Sequence, residues 1–227
     1  MENRVVPDTS IVITFRYAGG VSTTEEGSLP SFGLSGLRKT ARVLRYNEGT
    51  GNILALVREG AARYFFPLAF HELFGQSIDL GTFVPRSALQ EVEERLDEAR
   101  DAFSRVAVVD AFLAGRLSDA REDRLIGAVV RTIRESGGEA RIGALLRDIP
   151  LSRDPFEKRF RQVVGTTPKQ FSSIIRFRNL IGGYQKSDSL TRMAYASGFF
   201  DQAHFIKDFR AFTGLAPRAF FTGAAFW

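Results

Sequence analysis

Cysteine is absent from the 227 residues, which excludes disulfides, thiolate metal sites and cysteine nucleophiles. Histidine occurs twice, at His71 and His204, far apart in sequence. His71 stands beside Glu72, a pair open to a metal or acid–base role but better read as a hydrogen-bonded structural histidine. No run of eighteen apolar residues occurs, so no membrane-spanning helix and no membrane partner are expected. The opening MENRVVPDTS is charged and lacks the apolar core of a signal peptide, which makes the cytoplasm the expected compartment. No nucleophile–base pair and no metal-ligand spacing stands out, so no enzymatic activity, catalytic residue, cofactor or metal is expected.

Phenylalanine is abundant, with 21 residues to supply large units for core packing. The length allows one large or two small domains. Charge is uneven. From Glu139 to the end, 14 Lys and Arg stand against 7 Asp and Glu, whereas the preceding residues hold 17 against 19. The basic excess therefore belongs to the C-terminal part. It points to a polyanion partner, with a solubilising surface as the plain alternative.

Residues 1–82 read as β-rich. Ser10–Tyr17 alternates and is β-branched, as a half-buried strand should be. Phe32–Leu37 is a weaker strand, and Arg42–Tyr46 and Asn52–Val57 flank the turn-prone Asn47–Gly51. Gly60–Tyr64 and Phe70–Phe74 read as short helical turns, and Ser77–Leu80 as a last strand. Their sum is an antiparallel sheet, open to closure as a partial barrel. Over 83–136 the spacing changes to helical: one helix from Pro85 with Leu89, Val92 and Leu96, a second capped by Asp101, and a third from Asp119 with Ile126, Val129, Val130 and Ile133. This stretch reads as a connector, open to packing on the sheet or joining two copies. Ser136-Gly137-Gly138 is the clearest break, and the expected boundary.

After Glu139 the chain repeats itself. Phe160-Arg-x-x-x-Gly165-x-x-Pro168-Lys-x-Phe171 matches Phe209-Arg-x-x-x-Gly214-x-x-Pro217-Arg-x-Phe220 at an offset of 49. In the second copy Ser189 can cap a helix carrying Leu190, Met193 and Ala194; Gly198 gives a turn and Asp201 caps the next helix. Ser152 mirrors Asp201 as the cap in the first copy. Two helix-turn-helix units result, over 141–164 and 189–213, joined by a helix over 168–184 that Pro168 opens.

A recognition helix must present polar side chains to base edges from one face. In the first unit that face carries Arg153, Asp154, Glu157, Lys158 and Arg161, opposite Phe156 and Phe160. In the second it carries Gln202, His204, Lys207 and Arg210, opposite Phe205, Phe209 and Phe212. Two rigidly joined units fit successive major grooves of double-stranded DNA when they stand about 34 Å apart.

The run Ala194-x-x-x-Gly198-Phe-x-Asp201-Gln-Ala-His204-Phe-x-Lys207-x-Phe209-Arg-x-x-x-Gly214-x-x-Pro217-x-x-Phe220 resembles the signature of the AraC/XylS family of bacterial transcription regulators. The likeness covers about Ala140–Phe221. It implies a DNA-binding domain over 139–227, with Asp154, Glu157 and Lys158 as base readers in the first unit and Gln202, Ala203, His204 and Lys207 in the second. The chain departs from the pattern at Pro150, where the first turn usually has Gly, and at Leu146, where the family has a small Ala. Asp154 and Glu157 also bring negative charge toward DNA, which costs affinity near phosphates.

Val6-Pro-Asp-Thr near the start and Val57–Pro67 before His71 resemble a poorly characterised domain that precedes the DNA-binding part in a subset of these regulators. That likeness implies a sensing or dimerising role and leaves open a small-molecule effector, a homodimer and contact with RNA polymerase. The expected class is α+β: a mostly antiparallel β N-terminal domain with following helices, then an all-α double helix-turn-helix domain. The expected function is sequence-specific transcription regulation. Two alternatives stand beside it: a regulator acting mainly through protein contacts, and an enzyme domain fused to a DNA-binding module.

Overall fold

The computed structural model describes residues 1–184 and 202–222. Eight strands occupy the first eighty residues: β1 Glu2–Val5, β2 Ile11–Ala18, β3 Val21–Thr23, β4 Gly27–Ser28, β5 Phe32–Ser35, β6 Arg42–Tyr46, β7 Gly51–Val57 and β8 Ser77–Asp79. Ile11, Ile13 and Phe15 alternate along β2 and are all buried, because a period of two puts them on one face. β2 is central to an antiparallel sheet ordered β7-β2-β5-β8, and a second antiparallel sheet is ordered β1-β6-β3-β4. The segments expected to be strands are strands. β1, β3 and β4 were not expected, since Glu2-Asn-Arg-Val has no apolar alternation to reveal it. β1 exists through its pairing with β6, from Glu2 opposite Arg45 to Val5 opposite Arg42. Single 3-10 turns occur at Ala61–Tyr64 and Phe70–Leu73, as the sequence suggests. His71 lies in the second of these, with its Nδ1 buried and without a hydrogen-bond partner among the described residues, which departs from the satisfied histidine expected.

Glu26 joins strands of the two sheets. Its carboxylate accepts from Arg38 Nη2 at 2.5 Å and from the Ser77 backbone N–H at 3.0 Å, with Arg42 Nη1 at 3.7 Å. Burial, and then the neighbouring Arg38, pushes Arg42 down to about 10. One carboxylate thus serves two guanidiniums. Glu26→Gln is expected to lower stability by about 1–3 kcal/mol, because it strands half-buried cations; urea unfolding checks it.

The helices follow. α1 (Arg86–Glu98) starts after Pro85, and α2 (Ala102–Ala114) is capped by Asp101, whose Oδ1 accepts from the Ser104 N–H at 2.8 Å. Their residues Leu89, Val92, Leu96, Val108 and Val109 pack on Phe15, Leu34, Phe66 and Phe70 in one core. α3 (Arg124–Glu135) begins five residues later than the expected Asp119, because Asp123 is the residue whose carboxylate meets a helix-start N–H, that of Ile126 at 3.1 Å. α4 (Ile142–Leu145), α5 (Arg153–Val164), α6 (Pro168–Gly182), α7 (Gln202–Thr213) and α8 (Pro217–Thr222) complete the described helices. The first helix expected in the second unit, with Ser189, Leu190, Met193, Ala194, Gly198 and the Asp201 cap, lies outside the described residues.

Ile126, Val129, Val130 and Ile133 of α3 share a core with Phe156 and Phe160 of α5 and Phe171 and Ile175 of α6. A third core joins Phe177 of α6 to Phe205, Phe209 and Phe220, and Val6, from the turn after β1, fills its remaining side. The N-terminal part holds this region by polar contacts too. Arg4 Nη1 donates to the Thr213 carbonyl at 3.0 Å, and the Ala41 N–H donates to the Phe212 carbonyl at 2.7 Å. Asp8 pairs with Arg178 at 3.3 Å, and Arg134 reaches both Thr9 and Glu59. Among the described residues no helix is long and apolar enough to cross a membrane.

Candidate nucleic-acid interface

The two copies of the sequence repeat build the same object. In the first, Phe156, Phe160 and Phe171 are fully buried, with rings 5.9 and 5.8 Å apart in sequence order. In the second, Phe205, Phe209 and Phe220 are buried, at 5.6 and 5.2 Å. Helices α5 and α7 each stop at a glycine that must turn left-handed, Gly165 at φ 95° and Gly214 at φ 73°. Each next helix opens on proline, Pro168 and Pro217, where a missing N–H costs nothing. Thr167 caps α6 by accepting from the Gln170 N–H at 3.1 Å. Polar faces are what remain once the Phe stripes are buried.

Both repeat glycines meet the N-terminal part. A Cβ on Gly165 would lie 3.2 Å from the Phe70 carbonyl oxygen, and one on Gly214 would lie 3.0 Å from Arg4 Nη1. The N-terminal part therefore approaches the two repeats at corresponding points, just past α5 and α7.

On α5, Arg153, Asp154, Lys158 and Arg161 are exposed, and Glu157 is half-buried and paired with Arg153 at 2.9 Å. The Glu157 bond holds the Arg153 guanidinium above its usual range. Ser152 stands at the N-cap but its hydroxyl makes no capping bond, contrary to expectation. The reason is local: Pro155 occupies the third helical position and has no N–H to donate. On α7, Gln202, Ala203, Lys207 and Arg210 are exposed, while His204 lies on the same helix with its side chain outside the described residues. Arg153, Asp154, Lys158 and Arg161 are thus exposed on α5, and Gln202, Ala203, Lys207 and Arg210 on α7.

Arg159 is the residue of this region that sequence reasoning did not single out. Its guanidinium forks onto both oxygens of Asp123, at 2.7 and 3.0 Å, and ties α5 to the start of α3. Burial works against ionisation of Asp123, but Arg159 and the Ile126 N–H outweigh it and hold the carboxyl below its usual range. Nothing local marks this pair, since its members stand 36 residues apart. Among the described residues no group of three or more His, Asp or Glu is placed to hold a metal ion.

Residues 145–223 match the family described as a helix-turn-helix domain. Among solved structures, the chain is similar to a lysine variant of apo ToxT from Vibrio cholerae strain SCE256, with a TM-score of 0.50 at 12% identity, over 97% of this chain and 91% of that one. ToxT from Vibrio cholerae O395 aligns over 97% and 95% at 13% identity and a TM-score of 0.47. Wild-type ToxT of strain SCE256 bound to an unsaturated fatty acid aligns over 96% and 88%, also at 13% and 0.47. None of the curated proteins matches the chain. At such identities the likeness to ToxT is one of fold. Antiparallel sheets with following helices lead here into a C-terminal helix-turn-helix domain.

Proposed function

We propose that the chain is a sequence-specific transcription regulator that sets α5 and α7 into successive major grooves of double-stranded DNA, under control of its N-terminal part. The observation that carries this reading is the duplicated Phe–Gly–Pro frame, which buries one side of each recognition helix and leaves Lys158, Arg161, Gln202, Lys207 and Arg210 exposed on the other. Exposed cations at a groove supply phosphate attraction, and bidentate polar side chains supply base choice. The reading is non-enzymatic. It places the protein in the cytoplasm, with promoter DNA as the first partner and RNA polymerase, an effector and a second copy as further partners.

The test is selection of bound sequences from a random DNA pool, followed by gel shifts on the enriched site. Lys207→Ala is expected to weaken binding to that site by about 1–3 kcal/mol and to relax the preference at the base it reads. Unchanged affinity and preference would remove Lys207 from the interface.

A second reading rests on α5. Asp154 in its first turn and Glu157, paired with Arg153, set two carboxylates beside the exposed Lys158 and Arg161, where α7 carries one, Asp208. On this reading the regulator works mainly through protein contacts, and Phe103, 90% exposed on α2, offers an apolar contact point. The same selection separates the two: an absence of any enriched sequence at moderate salt favours the second.

A further inference from the structure

Helices α5 and α7 compare position by position at the repeat offset of 49. Lys158 and Arg161 on α5 correspond to Lys207 and Arg210 on α7, and all four are exposed. Two other positions break the likeness together. Arg153 stands where α7 has Gln202, and Glu157 stands where α7 has Ile206. Gln202 is exposed like Arg153, and Ile206 is half-buried like Glu157. One unit thus fills this half-buried position with an apolar side chain and the other with a carboxylate. A carboxylate drawn partly out of water needs a partner. Glu157 has one: its Oε1 accepts from Arg153 Nε at 2.9 Å.

Helix stability is a poor reason for this pair. An exposed ion pair four residues apart contributes little, and Arg before Glu is the weaker order against the helix dipole. The geometry gives a better one. Glu157 engages Nε, and among the described residues nothing bonds the two terminal nitrogens of Arg153, whose side chain is 75% exposed. Those nitrogens form a planar fork of donors, which matches O6 and N7 of guanine in the major groove. Arg153 is also the first residue of α5, and the N-terminal residues of such a helix are the ones that reach base edges. Charge argues against a phosphate as the acceptor. Glu157 sits on the guanidinium and Asp154 stands exposed beside it, so a phosphate would meet two carboxylates as well as the cation. Guanine offers neutral acceptors, which need donors more than net charge.

We infer that Arg153 reads a guanine in the half-site under α5 and that Glu157 is a positioning residue, holding the guanidinium by its back edge so that the fork faces the base. This assignment rests on the proposed function and names the base that the first unit selects. It moves Glu157 out of the base-reading set implied by the family resemblance and puts Arg153 into it.

The experiment is selection of bound sequences from a random DNA pool by the full chain and its variants, with gel shifts on the enriched site. The wild type is expected to enrich a guanine whose replacement weakens binding about 5- to 150-fold. Arg153→Ala and Arg153→Lys should both lose that preference, because an ammonium cannot fork. Glu157→Ala should lose it at the same base. Glu157→Gln, whose amide oxygen can still accept from Nε, should restore most of it. Arg153→Ala combined with Glu157→Ala should be no less selective than Arg153→Ala alone, since the second residue acts through the first. Melting curves establish that the variants are folded. An unchanged guanine preference in Arg153→Ala overturns the assignment. A preference that survives in Arg153→Lys also overturns it, since a charge on a phosphate would then account for the contact. Loss at a different base in Glu157→Ala overturns the positioning role and makes Glu157 a reader itself. No enriched sequence from the wild type overturns the regulator reading and this assignment with it, which keeps that failure distinct from the other three.

Discussion

Phe209→Ala is expected to destabilise the protein by about 3–5 kcal/mol, the usual cost of emptying a phenylalanine from a close-packed core. Its ring lies 5.5 Å from Phe177, 5.6 Å from Phe205, 5.2 Å from Phe220 and 5.6 Å from Phe221. These neighbours come from three helices, so the site cannot collapse by moving one of them. The loss should exceed the plain transfer energy of the side chain because the edge-to-face contacts with Phe177 and Phe220 go with it. Urea unfolding gives the size. Gel shifts on the selected site should lose the contribution of α7, since the helix no longer has a fixed bed. Phe160→Ala serves as the matched comparison, because Phe160 holds the same position in the first unit.

Gly138→Ala is the second large effect, expected at about 2–4 kcal/mol. Gly137 and Gly138 close α3: the Gly138 N–H donates to the Ile133 carbonyl at 2.8 Å and the Gly137 N–H to that of Arg134 at 2.9 Å. This is the paired closure that helix ends make with a left-handed glycine. At Gly138 φ is 86°, and an added Cβ would lie 2.4 Å from the Ser172 carbonyl oxygen on α6. The obstacle is backbone, which cannot swing aside as a side-chain tip can. Thermal unfolding should show the loss, and Gly143→Ala, where a Cβ meets nothing within 4 Å, should show little. Gly75→Ala, at φ 78° with nothing within 4 Å of its Cβ, isolates the left-handed backbone, and the excess at Gly138 is the crowding.

Residues obeying short-range rules were legible in the sequence. β2, β6 and β7 follow from alternation and a turn-prone loop, and the buried Phe, left-handed Gly and helix-opening Pro positions follow from a motif that uses them twice. Features set by distant partners were not. Nothing in Val6 announces that it completes a socket of four phenylalanines from the far end of the chain. Asp119 and Asp123 look equally fit to start α3, and only the Ile126 N–H and Arg159 distinguish them. The Ser152 cap shows how a familiar motif can miss, since Pro155 removes its donor three residues on.

The N-terminal part rests against Gly165 through Phe70 and against Gly214 through Arg4. It spans α5 and α7 like a caliper, with one jaw just past each. On the proposed function, the distance between its jaws is a length measured in DNA. Adjacent base pairs lie about 3.4 Å apart along a strand. A change of that size between the Phe70 and Arg4 contacts would move one recognition helix by one base pair relative to the other. The N-terminal part that carries those residues would then choose among operators by the spacing of their half-sites, without touching a base.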